Sequence, residues 1–165
     1  MWNDGYVDAL RNAIITEEAA NNENIGPVTI GITQVLQAQS FGTLTALYGD
    51  IPFDEAVNED FPNPMFNNQV DVYSKIQTLL DKAISNLQQG SGKPAIGSDI
   101  YFDGNPQAWI ESAYTLKARF YMHIKDYPKE YIDERTGEAR ETLCEKPDLL
   151  LIKNNLEDYI KGEIS

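Results

Sequence analysis

The chain of 165 residues can form one domain or part of a larger one, and its 42% hydrophobic content is enough for an ordinary globular core. A formal charge of −13, with a pI near 4.3, argues against phosphate-backbone binding, which needs clustered Lys and Arg, so no nucleic acid partner is expected; it also disfavours direct adhesion to an anionic membrane. A single cysteine, Cys144, excludes an internal disulfide and any multi-cysteine metal site.

The first element is read from Trp2, Tyr6, Leu10, Ala13 and Ile14, which recur at helical spacing and predict a helix over residues 2–20. The pattern runs almost from the first residue, and Met1 to Gly5 lacks the basic and apolar regions of a secretory leader, so the expectation is a chain whose parent N-terminus lies upstream. The longest apolar runs are far short of a membrane span. Gly26-Pro27 marks a new start, because proline suits a first helical turn. From Val28 to Leu47 the stripe Val28, Ile32, Val35, Leu36, Leu44 and Leu47 predicts a second helix. Small residues at Gly31, Ala38, Gly42 and Ala46 would let a neighbouring helix approach closely.

Pro52, Pro62 and Pro64 forbid a continuous helix across residues 49–68, which are read as a loop. Asn67 or Asn68 can then cap a third helix, in which Val72, Ile76, Leu79, Leu80, Ala83 and Leu87 form one face. It is expected to stop at Gln88-Gln89-Gly90-Ser91-Gly92, a glycine exit with a flexible tail. After a second loop over 93–104, Asn105 is a good cap and Pro106 a good first residue for a fourth helix. Its face is Trp109, Ala113, Leu116, Phe120 and His123 or Ile124, up to Pro128. The fold class is therefore all-α, in stacked antiparallel helix pairs. Beyond Pro128 the character changes: a Thr136-Gly137 turn and the run Leu149 to Ile152 fit a short strand and helix as well as one continuous helix.

Asp50, Asp54, Glu55, Glu59 and Asp60 crowd one loop. A glycoside hydrolase needs two carboxyls at a set separation, one of them kept protonated by apolar surroundings, and sequence proximity supplies neither. A calcium loop would want a central glycine, which this stretch lacks; a solvated acidic loop is the plainer reading. His123, the single histidine, reads as a packed or half-exposed side chain. Gly90-Ser91-Gly92-Lys93 lacks the spacing of a phosphate loop and reads as a linker. Cys144 has no histidine nearby to activate it. No catalytic residue, metal or cofactor is expected.

The aromatics are more informative. Phe53, Phe61, Phe66, Tyr101 and Phe102 all fall in loops, beside polar residues such as Asp54. Flat apolar faces next to hydrogen-bonding groups are what a sugar site uses, so these six residues are the candidate ligand contacts. The alternative reading is that the rings plug helix ends.

Three features in order carry a family resemblance. They are the helix ending Tyr48-Gly49-Asp50-Ile51-Pro52, the helix bearing Val72, Tyr73, Ile76, Leu80, Ala83, Ile84 and Leu87, and the entry Asp103-Gly104-Asn105-Pro106-Trp109 into a helix with Leu116-Lys117-Ala118-Arg119. Residues 1–127 resemble the SusD/RagB-like family, nutrient-binding lipoproteins of the Gram-negative outer membrane. The resemblance implies tetratricopeptide-like helix pairs. It also implies a cell-surface role as partner of a SusC-like TonB-dependent transporter, delivering an oligosaccharide or other nutrient without catalysis. On this reading Tyr48, Gly49, Asp50 and Pro52 form a corner between helices, with Asp50 accepting from backbone amides, and Asn105, Pro106 and Trp109 are structural too. The chain departs from the family in length, in lacking the lipid-bearing N-terminal cysteine that anchors members to the membrane, and in residues 128–165, which do not continue the repeat. Rival expectations are a helical-repeat adaptor for a protein partner and an acid-dependent glycoside hydrolase using the Asp50–Asp60 carboxylates.

Overall fold

The computed structural model describes residues 2–124; the expected irregular segment 128–165, with Cys144, lies outside them. Contacts within the chain divide it into residues 1–113 and residues 114–165, and the second unit is described only through Tyr114–Ile124.

The first unit opens with a π-helical stretch, Asp4–Leu10, that runs on into α1 (Arg11–Asn22). π-winding is rare and recurs at functional sites. Gly26 then turns the chain at φ 123° and Pro27 starts α2 (Pro27–Tyr48). A two-residue bridge pairs β1 (Ile51–Pro52) antiparallel with β2 (Phe66–Asn67), so the loop expected over 49–68 is closed at its base. α3 (Gln69–Gln88) follows, capped by Asn68, whose side chain accepts from the Val70 amide. α4 (Pro106–Ile124) is entered through Asn105, whose Oδ1 accepts from the Gln107 amide at 3.0 Å.

α2 is the central rod. Glu17 of α1 meets Gln34 and Gln37, and Gln34 meets Asn86 of α3, while the far end of α2 meets the start of α3 through Gln69 and Thr45. The three helices therefore run alternately up and down, the stacked-pair arrangement expected from the apolar stripes. Two neighbours explain why the α2 stripe is blurred in sequence: Thr29, Thr33, Gln34 and Gln37 are buried with Val28, Val35 and Phe41, whereas Leu36 and Leu47 are exposed. The close approach is real at Gly31. A Cβ there would stand 2.7 Å from Leu87 Cγ and 2.9 Å from the Ala83 carbonyl oxygen.

The Gly90-Ser91-Gly92 exit is not a free tail. The Val28 and Thr29 amides donate to the carbonyls of Ser91 and Gly92 at 3.0 and 3.1 Å, and the Thr29 hydroxyl adds a 2.8 Å bond to Gly92. The first amides of a helix lack partners of their own, and this strand of chain supplies them. The crossing is possible because Gly26 and Gly92 both have positive φ and almost touch; a Cβ on Gly92 would meet Gly26 Cα. In the second unit, the end of α4 buries Lys117 and Phe120, while His123 is exposed at an edge of the Phe120 ring.

Candidate functional site

The turn after α2 is tied from several directions. Buried Thr45 donates its hydroxyl to the Gly49 carbonyl at 2.7 Å and accepts the Gly49 amide at 2.9 Å. Gly49 takes φ 79°, a conformation open to glycine, and its position faces open space. Asp50 Oδ1 accepts the Gln69 amide at 2.9 Å, joining the exit of α2 to the first turn of α3. A carboxylate there also suits the positive end of a helix. Ile51 is fully buried beside this turn, and the Pro52 carbonyl accepts the Tyr6 hydroxyl at 2.8 Å across 46 residues. Burial pushes the Tyr6 pKa upward, so the phenol stays a neutral donor.

From this anchored base a loop over residues 53–65 swings out. Asn67 Oδ1 accepts the amides of Phe53 and Asp54 at 2.9 and 3.2 Å, and its amide group donates to Asp54 Oδ2 at 2.7 Å. Lys75 of α3 pairs with Asp54 and Asp71 and lies 5.9 Å from the Phe53 ring centre. Phe53 rests on Phe41 with centroids 4.2 Å apart. Further out, Glu55 accepts the Met65 amide at 2.8 Å, and Val57 adopts φ 57°, a region that β-branched residues rarely enter.

Between this loop and the N-terminal helix lies an open groove of about 980 Å³. Trp2, Tyr6, Arg11 and Glu18 stand on the helical side, and Asp54, Glu59, Asp60, Phe61 and three prolines on the loop side. Trp2 is itself held by rings: Tyr6 at 4.9 Å, Tyr48 edge-on at 4.8 Å and Phe66 nearly parallel at 6.2 Å. A rigid aromatic wall opposite polar groups can take the flat face of a sugar while the polar groups engage its hydroxyls. Acid catalysis needs a carboxyl with a raised pKa. Asp54 is shifted the other way, held below its usual range by the Lys75 ammonium first and by Asn67 second. Among the described residues no group of three or more His, Cys, Asp or Glu could hold a metal ion.

The six candidate contacts divide. Asp54 and Phe61 line the groove, Phe53 packs beneath the loop, and Phe66 stands beside Trp2. Tyr101 and Phe102 belong elsewhere: both meet Trp109 edge-on, at 6.1 and 5.2 Å. There the organising group is Asp99, which the sequence reading passed over. Its carboxylate accepts the Trp109 indole at 2.6 Å and the amides of Gly104, Tyr101 and Phe102 at 2.8, 3.0 and 3.3 Å. Burial alone would raise the Asp99 pKa, but these four donors outweigh it and hold the carboxyl low. Arg11 and Glu18 were also passed over as site residues; nothing local marks them, because the loop they face is more than thirty residues away in sequence.

Comparison with known proteins places these features in a family. The SusD-like family model described as "Starch-binding associating with outer membrane" matches residues 1–151. A SusD/RagB family protein from Bacteroides thetaiotaomicron VPI-5482 has a similar solved structure, with TM-score 0.66 and 30% identity over 73% of this chain and 25% of that one. A SusD homologue from Bacteroides fragilis NCTC 9343 gives TM-score 0.62 and 30% identity over 72% of this chain and 25% of its own. A chitin-binding protein shares the fold at TM-score 0.67 and 23% identity, covering 76% of this chain and 27% of that protein. The chain thus spans about a quarter of the length of these solved relatives. No curated protein matches it.

Proposed function

Since the chain belongs to the SusD-like family of starch-binding, outer-membrane-associated proteins, we propose that it binds a glycan or other oligomeric nutrient at the cell surface. On this reading it performs no catalysis. Its protein partner is a TonB-dependent transporter of the SusC type, and a lipid anchor attaches it to the membrane. Residues 1–127 are the helical binding unit, with 128–165 a separate segment.

One observation carries the reading: a chain of a starch-binding family presents an open groove with ring faces and hydrogen-bonding groups on its walls. Of the candidate contacts, Phe61 and Asp54 are proposed to touch the ligand, with Trp2 and Tyr6 added from the helical wall. Phe53 and Phe66 are proposed to brace these rings, and Tyr101 with Phe102 to form a second apolar contact face. The test is calorimetric titration of the 165-residue chain with neutral oligosaccharides: maltooligosaccharides and N-acetylglucosamine oligomers. Saturable binding that falls roughly tenfold, or about 1.4 kcal/mol, in Trp2→Ala and in Phe61→Ala is expected. Absence of binding to every oligosaccharide, with an intact fold, overturns the reading.

A further inference from the structure

The groove is unequal in charge. Five carboxylates line it (Glu18, Asp54, Glu55, Glu59 and Asp60), and among the described lining residues Arg11 is the one cation. Two of the five have work within the chain: Asp54 is paired with Lys75, and Glu55 holds the Met65 amide. The carboxylates of Glu18, Glu59 and Asp60 accept no hydrogen bond from any described residue, and all three residues are exposed. A cleft walled by one sign of charge focuses the field and concentrates ligands of the opposite sign. The ring faces point the same way, because the electron-rich faces of Trp, Tyr and Phe attract ammonium groups. Cavity, rings and charge are separate features of this groove, and they agree on one ligand chemistry: apolar faces that carry positive charge.

We infer that the groove is selective for saccharides bearing protonated amines, a hexosamine oligomer with free amino groups, and turns away uronic-acid or sulfated chains. The inference rests on the glycan-binding reading and refines it. Sugar faces stack on Trp2 and Phe61 while the ammonium groups sit opposite Glu18, Glu59 and Asp60. Arg11, on the helical wall, donates its guanidinium N–H groups to sugar hydroxyl oxygens.

The experiment compares three oligomers of equal length on the 165-residue chain: glucosamine, N-acetylglucosamine and galacturonate, at mildly acidic pH where the amines are protonated. The expected order is glucosamine roughly tenfold tighter than the N-acetylated form, with galacturonate weakest. Raising the salt should shrink the glucosamine advantage, because exposed charges are screened within about 10 Å at 0.1 M. The triple variant Glu18→Gln, Glu59→Gln, Asp60→Asn should abolish that advantage, so that glucosamine and N-acetylglucosamine oligomers bind it equally; all three side chains are exposed, and a circular-dichroism melt checks that the fold is kept. Equal affinity for glucosamine and N-acetylglucosamine, or an advantage that survives in the triple variant, overturns the charge inference and leaves glycan binding standing. Failure of all three oligomers, together with the neutral panel, overturns both.

Discussion

The indole N–H of Trp109 donates to Asp99 Oδ2 at 2.6 Å, so the first turns of α4 are tied to the loop that leads into them. The ring is 4% exposed and is flanked edge-on by Phe102 and Tyr101. Trp109→Ala should therefore lower stability by about 3–5 kcal/mol, since it deletes a buried aromatic and leaves a cavity. Trp109→Phe should cost less, losing the indole donor but keeping most of the apolar volume. Urea denaturation measures both; a loss below about 1 kcal/mol for Trp109→Ala would show that the ring bears little of the packing.

The low pKa values of Asp99 and Asp54 fix the direction of the acid response. A carboxyl held lower in the folded chain than in the unfolded one contributes stability above its unfolded value, ordinarily 3.8, and loses it as pH falls through the folded value. Stability should thus be flat through neutral pH and drop in the acid range below about 3.8. Asp99→Asn should lower the neutral plateau and flatten that acid limb. An unchanged slope in the variant would mean that Asp99 is not a principal group titrating there.

Gly31 is a point of close approach between α2 and α3. Gly31→Ala would place a carbon 2.9 Å from the Ala83 carbonyl oxygen, which is backbone and cannot swing aside. The helices must part, at a cost of about 1–3 kcal/mol, even though alanine is the better helix former. Gly5 makes a useful control, because a Cβ there meets only the flexible end of Leu44. Gly5→Ala should be nearly neutral, and thermal melts of the pair separate the two cases.

Glu17 bridges two buried amides, accepting from Gln34 at 2.7 Å and from Gln37. Glu17→Ala strands both donors where water has little access, and should cost about 1–3 kcal/mol. Glu17→Gln restores an acceptor to at least one of them and should recover part of the loss. Indifference to Glu17→Ala in a denaturation series would mean that water satisfies the glutamines in its place.

What was legible in the sequence follows from range. α3 announces itself locally, through the Asn68 cap and one clean apolar face, and Gly26-Pro27 and Asn105-Pro106 mark their helices in the same way. The π-winding of Asp4–Leu10 leaves no comparable trace, since its residues suit an ordinary helix. The groove depends on pairings such as Tyr6 with the Pro52 carbonyl, 46 residues apart, which no local pattern encodes. Aromatics in loops pointed to Phe61, but equally to Tyr101 and Phe102, which gather around Trp109. Only the folded chain distinguishes a ring lining a cleft from a ring covering a helix end.

The glycine crossing between residues 26 and 92 has a kinetic consequence. The amides of Val28 and Thr29 are guarded by a stretch of backbone that arrives only after α3 is complete. The start of the second rod is thus buckled by the end of the third, and the two helices are expected to open together. Deuterium uptake at these two amides would report the unclasping of the whole hairpin, not the fraying of a helix end.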